Sequence, residues 1–186
     1  MGDLRVVVCG GGAASGVVSL VVEAAKRGWA VDVTATQNAL DFIDVADVAR
    51  ACGRPVRTTY KFAPDGRRIS PPADALIVAP ATFNTVNKLA AGIADTYALS
   101  SVAEVIGRGV PTVVVPAVNS ALAARRPFRR AVEDLRSEGV RVLFGPDDDW
   151  EPLPPGQNDP RCFPWLRALD LAEDLTSIDR SVPMRS

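Results

Sequence analysis

Short, continuously apolar runs alternate with segments of helical periodicity along most of the chain. A run of this kind is typical of a strand that is covered on both faces, as strands in parallel sheets are. We predict strands at Leu4–Cys9, Ala30–Ala35, Val56–Tyr60, Ala75–Ala79, Pro111–Val115 and Val140–Phe144. Because helical segments separate most of these strands, the pattern predicts an α/β fold, a Rossmann-like, three-layer, doubly wound parallel sheet in a single domain.

The C-terminal part of the chain departs from this alternation. Residues 145–164 are polar, rich in proline and acidic, and loops of this length are usually lids or mobile segments. A closing helix is predicted over Cys162–Leu175. We therefore expect one domain over residues 1–178 and a disordered tail over residues 179–186.

Composition and charge exclude several classes of protein. With 186 residues, 47% hydrophobic content and a net charge of −1, the chain has no electrostatic footprint for nucleic acid or for an anionic membrane. No apolar stretch approaches the length of a membrane span, and the N-terminus does not resemble a signal peptide. The three cysteines are widely spaced, which argues against a disulfide framework or a zinc site. We expect a cytoplasmic protein.

The chain contains no histidine. This absence excludes a Ser–His or Cys–His nucleophile pair, His-ligated metals and histidine acid–base catalysis. We predict no metal site. Any chemistry must therefore use carboxylates, lysine, cysteine, tyrosine, backbone donors or a cofactor.

A glycine-rich segment, Gly10–Gly16, joins the first strand to the first helix. Such a turn forms a backbone cradle in which oriented N–H groups donate hydrogen bonds to a phosphate. Gly10 and Gly12 match part of the dinucleotide fingerprint, but Ser15 stands where a third glycine is required, and Asp32 falls in the middle of its strand. Two interpretations stay open: a site for a phosphate-bearing cofactor, or a purely structural turn.

Small polar residues follow two of the predicted strands. Pro80 is expected to end its strand, and Thr82 or Asn84 can then cap the next helix. Residues 116–119 repeat the order of proline, small residues and asparagine, so that Asn84 and Asn119 occupy equivalent strand ends. Ligands bind at such carboxyl ends in open parallel sheets, although a simple helix cap is the alternative interpretation.

A pair of arginines lies in the turn-rich loop before the central strand. Arg67 and Arg68 are able to clamp a carboxylate or a phosphate. The alternative is that both side chains are solvated surface residues.

Two motifs in order along the chain carry a resemblance to a known family. Pro80–Thr85 is similar to the motif PASANT, and the continuation Asn87–Asp95 follows the same pattern. Pro116–Ala123 is similar to PxMNxxMW, with valine, leucine and alanine in place of Met, Met and Trp. The chain thus resembles the homo-oligomeric flavin-containing cysteine decarboxylases, which include phosphopantothenoylcysteine decarboxylase and the lantibiotic peptidyl-cysteine decarboxylases.

The resemblance implies an FMN-binding domain that assembles as a homo-trimer or a larger oligomer, with the flavin between subunits. It implies these cofactor-binding residues: Gly11, Gly12, Ala13, Thr36, Thr82, Phe83, Asn84, Ser100 and Ser101. Asn84 would also meet the substrate carboxylate, and Asn119 would belong to the substrate pocket. The substrate would be a small molecule or a peptide that carries a cysteine.

The chain also departs from the family. The position of the family's catalytic histidine corresponds to Gly66 in this chain, beside Arg67 and Arg68. The loss of a general base typically costs a factor of ~10²–10⁴ in rate. The glycine-rich, cysteine-bearing clamp motif is not legible in the segment that ends at Cys162. Cys162 is a candidate proton donor there, with a structural cysteine as the alternative.

Three kinds of function follow from the resemblance. The first is a flavin-dependent lyase that oxidises a cysteine thiol to a thioaldehyde and then loses the adjacent carboxylate. The second is another flavin reaction on the same scaffold, such as an oxidation or a prenyl transfer. The third is a flavin-binding protein without catalysis. A fourth hypothesis, a nicotinamide-dependent protein, is disfavoured because the dinucleotide fingerprint is incomplete.

Overall fold

A parallel sheet forms the centre of the protein in a computed structural model, which describes residues 2–157 and 159–181. The strands of this sheet are β1 (Asp3–Val8), β2 (Ala30–Ala35), β5 (Ala75–Ala81), β6 (Thr112–Pro116) and β7 (Arg141–Val142). Their spatial order is β2-β1-β5-β6-β7, and all neighbours pair in parallel. The predicted doubly wound α/β fold is confirmed.

Helices cover both faces of the sheet because each strand sends alternate side chains to opposite sides. In β1, Val6 and Val8 enter one hydrophobic core, whereas Val7 enters the other. The first core packs beneath α1 (Val17–Lys26), α2 (Val45–Cys52) and α7 (Trp165–Ser181). The second packs beneath α3 (Phe83–Ala90), α4 (Tyr97–Gly107) and α6 (Arg126–Ser137), and the short α5 (Ser120–Ala123) precedes α6. Among the described residues, no helix is long and apolar enough to cross a membrane.

The predicted strand over Val56–Tyr60 does not form. This segment makes a single bridge to the sheet edge, between Arg57 and Thr34, and the chain then forms a small hairpin of β3 (Lys61–Phe62) and β4 (Arg68–Ile69). The segment is polar, so it gains little by extending the sheet, and its Arg57 instead binds the buried Asp32.

The sequence predicted that strand β5 ends at Pro80, but the strand continues to Ala81. The proline cannot donate a hydrogen bond, but its carbonyl accepts one from Cys9 N at 3.3 Å. Ala81 then pairs with Pro116 after a shift of register, and its carbonyl accepts a bond from Ala117 N at 2.8 Å. The strand therefore continues past the proline through its acceptors alone.

The last helix begins and ends later than predicted. It spans Trp165–Ser181 and so includes residues 179–181 of the expected tail, while residues 182–186 lie outside the described part of the chain. Pro164 precedes the helix, which fits the preference for proline at a helix start. The predicted start at Cys162 corresponds instead to a short 3-10 turn, Pro160–Cys162.

The acidic segment after β7 is held against the sheet rather than free. The carboxylate of Asp148 accepts hydrogen bonds from Phe144 N at 2.9 Å and from the Arg141 guanidinium. The indole of Trp150 donates to the carbonyl of Pro116 at 2.9 Å. Ser120 N donates to the carbonyl of Leu153 at 2.8 Å. These bonds fix residues 148–153 beside the carboxyl end of β6.

A buried arginine ties the loop before β5 to the opposite core. Arg5 is fully buried in the middle of β1, where its guanidinium donates to Ser101 Oγ at 2.8 Å and to the carbonyl of Pro71. Asp32 lies beside Arg5 in the parallel register. Because burial lowers the pKa of Arg5, its hydrogen bonds and the nearby carboxylate are needed to keep the charge inside the protein.

We predict that Ser101→Ala destabilises the protein and that Ser100→Ala does not. Removal of the Ser101 hydroxyl leaves a buried guanidinium N–H of Arg5 without an acceptor, which costs about 1–3 kcal/mol of unfolding free energy. Ser100 is only half-buried, so its substitution changes the same quantity by no more than about 0.5 kcal/mol. Urea unfolding of both variants measures this, and equal losses would contradict the proposed role of Arg5.

We also predict a pH-dependent contribution from Asp148. Burial raises the pKa of this carboxyl, but the hydrogen bonds from Arg141 and Phe144 N outweigh it and bring the pKa below its usual value. The stabilisation is therefore present above the unfolded-state pKa of about 3.9 and is lost as the pH falls through the folded-state pKa.

The stability difference between the wild type and Asp148→Asn should accordingly be large at neutral pH and shrink below about pH 4. Urea midpoints measured at both values test this. Asp147→Asn, a change at an exposed neighbouring carboxylate, is the matched control and should show a small difference at both pH values. A constant Asp148→Asn difference across this range would contradict the prediction.

Candidate functional site

The order of the strands reverses between β1 and β5, and this reversal opens a crevice at their carboxyl ends. After β1 the chain passes over one face of the sheet through α1, and after β5 it passes over the other face through α3. Such switch points are where open α/β sheets bind ligands. The order seen here is that of flavodoxin-like sheets, which hold FMN at this position.

The glycine turn after β1 lies directly against the turn after β2. A Cβ atom at Gly10 would sit 2.6 Å from the carbonyl oxygen of Asn38, so only glycine permits this approach. Thr36 N donates to the carbonyl of Val8 at 2.9 Å, which joins the two turns. The hydroxyl of Thr36 is not used to cap the following 3-10 helix. The turns after β1 and β2 therefore lie side by side at the carboxyl edge of the sheet.

The residues after β5 show which side chain caps α3. Thr82 is the cap: its Oγ1 accepts from Thr85 N at 3.2 Å. The Thr85 hydroxyl in turn lies 3.3 Å from the sulfur of the buried Cys9 and donates to it. Asn84 is not needed as a cap, and its side chain is exposed in the first turn of α3.

Asn84 and Asn119 lie at the same edge of the sheet on neighbouring strands. Ala81 of β5 pairs with Pro116 of β6, and each asparagine comes three residues after one of these two residues. Their local roles differ, because Asn119 caps α5 by accepting from Leu122 N through Oδ1 at 3.0 Å. The amide nitrogen of Asn119 is then the group left to meet a ligand.

The other predicted cofactor-binding residues differ in how far their side chains are buried or already bonded within the protein. Ala13 is buried in the short 3-10 helix Gly12–Gly16, and Phe83 is half-buried with its ring stacked 5.8 Å from that of Phe128. Ser101 is 4% exposed and its hydroxyl is engaged by Arg5, which leaves Ser100 as the candidate of that pair.

The arginine pair is not brought to this crevice within one chain. Arg67 binds Asp65 on the exposed hairpin, and Arg68 binds Glu104 and lies over the ring of Tyr60. Glu104 is in the half of α4 that leads toward the amino end of β6, whereas the crevice is at the carboxyl ends. Asp32, a candidate ribose ligand by spacing, is 4% exposed and bound to Arg57, so it faces the protein interior.

A separate, largely apolar cavity adjoins the glycine turn. It has a volume of about 190 Å³ and is bounded by Gly11, Gly12 and Ala117, with Cys162 at its wall. The other lining residues are Ala13, Val118, Phe144, Trp150, Glu151, Pro152, Leu153, Asp159, Pro160 and Phe163. The sequence indicated Cys162 but not the aromatic side chains that line this cavity. The signal that could have indicated them is the presence of Trp150 and other apolar residues inside a polar loop.

The three cysteines differ in what they can do chemically. Burial raises the pKa of the Cys9 thiol, so Cys9 is a neutral, structural group. The half-buried Cys52 donates to the carbonyl of Val48 in its own helix. Cys162 is exposed at the cavity and is therefore the thiol able to meet a ligand. Among the described residues, no group of His, Cys, Asp or Glu is arranged to hold a metal ion.

The residues at the switch point fit the phosphate end of a flavin. Gly11 and Gly12 follow Gly10 in this turn, and the hydroxyl of Thr36 in the neighbouring turn is not used as a helix cap. Uncharged donors of this kind in a turn are suited to binding a phosphate. Thr82, the cap of α3, and Asn84, in the first turn of α3, follow the carboxyl end of β5.

The fold and its edge define a doubly wound α/β protein with a ligand crevice at a topological switch point. Residues 2–157 match the model of the Flavoprotein family, so the chain belongs to that family. Membership of this family indicates a flavin cofactor, and the prediction of a flavoprotein is confirmed.

Known proteins extend this comparison. The coenzyme A biosynthesis bifunctional protein CoaBC of Mycolicibacterium smegmatis is 30% identical over 139 residues, which cover 73% of this chain and 33% of CoaBC. The dihydromethanopterin reductase (acceptor) of Methanosarcina mazei is 41% identical over 56 residues, which cover 30% of this chain and 23% of the reductase. The chain spans less than half the length of the curated relatives that it matches.

Among solved structures, the FMN-dependent cysteine decarboxylase TvaF from thioviridamide biosynthesis has the same fold. Its TM-score is 0.72 and its identity 22%, with 95% of this chain and 99% of TvaF covered.

We predict that Gly10→Ala weakens both folding and flavin binding. The new Cβ would overlap the backbone of Asn38, and overpacking of this kind costs about 1–3 kcal/mol of unfolding free energy. Gly107→Ala is the control, because nothing lies within 4 Å of its Cβ position and alanine favours the helix by up to about 1 kcal/mol. Urea unfolding with and without added FMN measures both effects, and a Gly10→Ala protein that binds FMN as the wild type does would contradict this role of the turn.

Proposed function

We propose that this protein binds FMN at the switch point between β1 and β5 and catalyses oxidative decarboxylation of a cysteine-containing small molecule or peptide. The observation that carries the proposal is the convergence of the glycine turn, Asn84 and Asn119 at one edge in a member of the Flavoprotein family. A bound flavin would supply the two-electron oxidation of the cysteine thiol, which makes the adjacent carboxylate a leaving group.

The chain's own residues have distinct tasks in this proposal. Gly11, Gly12, Ala13 and Thr36 hold the phosphate through backbone and hydroxyl donors. Asn84 donates its exposed amide to the substrate carboxylate, and this orients the carboxylate for departure.

Three further residues complete the site. Thr82 and Phe83 place their backbone beside the flavin ring, and their side chains are used elsewhere, in a cap and in the contact with Phe128. Ser100, at the start of α4, is the remaining hydroxyl candidate for the flavin.

Asn119 and Cys162 stand on the substrate side. The Oδ1 atom of Asn119 is engaged in the α5 cap, so its NH₂ group is directed to substrate recognition. Cys162, exposed at the cavity wall, is the candidate donor of the proton that the product carbon or sulfur takes up.

A second subunit completes the site in this proposal. Arg67 and Arg68 lie away from the crevice of their own chain, so they would substitute for the missing histidine only across an interface between subunits. The hairpin that carries them exposes apolar side chains, with Phe62 at 62% and Ile69 at 44%. Exposed apolar surface of this kind is typical of interaction sites and supports assembly as a homo-trimer or a higher oligomer.

A second candidate function is a flavin-dependent oxidation or reduction without decarboxylation, or a flavin prenyl transfer. The local similarity to a dihydromethanopterin reductase favours an oxidoreductase as this alternative. The lack of histidine also favours it, since a decarboxylase of this type would work without its usual base. A flavin-binding protein without catalysis is the non-enzymatic alternative.

The proposal is tested first by the absorption spectrum of the purified protein and by identification of the released chromophore. We expect FMN. Incubation with cysteine-terminated peptides and with 4′-phosphopantothenoylcysteine, followed by mass spectrometry, should then reveal products that have lost carbon dioxide and two hydrogen atoms. Turnover of dimethylallyl phosphate would instead support the prenyl reaction, and bound flavin without any turnover would support the binding protein.

We predict that Asn84→Ala lowers kcat/KM about 100-fold or more, because it removes a group that holds the reacting carboxylate. Unfolding free energy should change little, since the Asn84 side chain is exposed. Asn87→Ala, one turn further along α3, is the control, because its amide bonds only to the carbonyl of Phe83. Steady-state kinetics compare the two, and equal effects of both substitutions would rule out the assigned role of Asn84.

A further inference from the structure

A groove separates the amino ends of α1 and α7. Its volume of about 500 Å³ is within the 300–1,000 Å³ that is typical of sites for small molecules. Ser15, Gly16 and Ser19 line it from the start of α1, and residues 160–161 and 163–167 line it from the other side. This second side lies beyond residues 2–157, which match the Flavoprotein family. The groove therefore depends on a part of the chain that the family match does not include.

The charged side chains of the groove are all cationic. Arg161 and Arg167 line it, and none of its described lining residues is Asp or Glu. Arg161 bonds to Asp159 through Nε and Nη2, which leaves its Nη1 group unused. Arg167 donates to the carbonyl of Asp148 through Nη1, which leaves Nε and Nη2 without a hydrogen bond. Both guanidinium groups thus keep N–H donors that are able to bind an anion.

Two helices begin at this groove. Gly16, which precedes α1, and Trp165, the first residue of α7, both line it, and Gly16 has no side chain to cap α1. The amino end of a helix carries unpaired N–H groups and a partial positive charge. Ser15 and Ser19 are exposed on the same wall, and their hydroxyls make no hydrogen bond within the described part of the chain. Neutral donors therefore supplement the two arginines.

A buried donor without an acceptor lies at the base of the groove. Trp165 is 7% exposed, and its indole Nε1 has no hydrogen-bond partner among the described residues. A Cβ atom at Gly16 would overlap this Nε1 atom and would lie farther from Cδ1, at 2.9 Å, so the N–H edge faces the start of α1. The other two indoles of the chain both donate hydrogen bonds within the protein. Because buried donors are almost always bonded, this one indicates that an acceptor enters from outside the chain.

The groove also has an apolar side. Phe163, Pro164 and Leu166 belong to its lining, and Leu166 is 51% exposed. An inorganic anion would leave this surface uncovered, whereas the organic part of a larger ligand would cover it. Donors spread over two helix ends and two guanidinium groups fit the several oxygens and the double charge of a phosphate better than a single carboxylate.

This groove is distinct from the crevice at the switch point. Gly11, Gly12 and Thr36 belong to the turns at the crevice, and none of them lines the groove. Pro160 lies between the two sites: it lines the groove, and its Cγ atom is 3.3 Å from the position that a Cβ atom would take at Gly12. A ligand in the groove is therefore additional to a flavin at the switch point.

We propose that this groove binds a small organic phosphate monoester other than the flavin. The phosphate lies between the two helix ends, where Ser19, Arg161 and Arg167 hold it, and the organic group lies on Phe163 and Leu166. The inference does not rest on the proposed decarboxylation, because it uses no residue assigned to the flavin or to the reacting cysteine.

Isothermal titration calorimetry on the protein saturated with FMN, in a buffer without phosphate, tests the binding. The probes are phenyl phosphate, inorganic phosphate and phenol, which separate the contributions of the anion and of the apolar group. We expect one phenyl phosphate per chain, a Kd for inorganic phosphate that is about 10-fold or more higher, and no binding of phenol.

The indole signals report where the probe binds. With ¹⁵N-labelled tryptophan the protein should give three indole N–H resonances in an NMR spectrum, and the one that is lost in Trp165→Phe belongs to Trp165. Phenyl phosphate should shift this resonance in the wild type. The resonances of Trp29 and Trp150 should stay in place, because both groups are already bonded within the protein.

Two pairs of variants test the residues that hold the phosphate. Ser19→Asp adds a negative charge in the first turn of α1, where an acidic residue favours the helix, and should raise the Kd of phenyl phosphate about 10-fold or more. Ser70→Asp, at an exposed serine outside the groove, is its control and should leave the Kd unchanged.

Arg161→Gln should raise the same Kd about 10-fold, because it removes a charge-assisted hydrogen bond. Arg50→Gln is the matched control, since Arg50 is also exposed and paired with a nearby aspartate, Asp47 at 2.6 Å, as Arg161 is with Asp159 at 2.8 Å.

Failure of phenyl phosphate to bind would overturn the inference, as would equal effects within both variant pairs or a Trp165 resonance that does not move. Release of FMN by the probe would also overturn it, because the probe would then occupy the flavin site. Equal Kd values for phenyl phosphate and inorganic phosphate would reject an organic ligand. The proposed function is judged separately, by loss of carbon dioxide from cysteine substrates, so either result stands without the other.

Discussion

The reversal of strand order between β1 and β5 is the constraint on which the rest of this structure depends. It sends α1 and α3 to opposite faces of the sheet, and so neither of these two helices covers the carboxyl ends of the two strands. A parallel sheet brings all its carboxyl ends to one edge, which is why short polar turns that are distant in sequence become neighbours there. The crevice is therefore a consequence of topology, and the side chains only determine what it binds.

The two ends of the crevice use different physical means. At the glycine turn, the contact between Gly10 and Asn38 leaves room for backbone donors and uses no charged side chain. At the other end, the indole of Trp150 donates to the carbonyl of Pro116 in β6, and Ser120 N at the start of α5 donates to the carbonyl of Leu153. These two bonds hold the acidic loop against the sheet as a wall. The edge of the sheet thus places a glycine turn beside an apolar cavity whose lining includes the carboxylates of Glu151 and Asp159.

Much of the fold could be predicted because it depends on local patterns. Apolar runs indicated the main strands, and the parallel order followed from their alternation with helices. The motifs around Asn84 and Asn119 also predicted that the two asparagines follow equivalent strand ends, and the pairing of Ala81 with Pro116 confirms that these strand ends are neighbours. Prediction failed where contacts between distant residues decide: Pro80 stays in its strand because Cys9 and Ala117 supply donors to the acceptors around it.

By itself, the sequence determined the class of fold, the absence of histidine chemistry and the two asparagine-bearing strand ends, because these depend on residue type and short spacing. Only the tertiary structure decided that Ser101 is engaged by Arg5, that Arg67 and Arg68 lie away from the crevice of their own chain, and that an acidic loop forms an apolar pocket. Each of these outcomes depends on which partner a side chain meets. The partners of Ser101, Arg68 and Trp150 lie tens of residues away along the chain, whereas Arg67 binds Asp65 within its own hairpin.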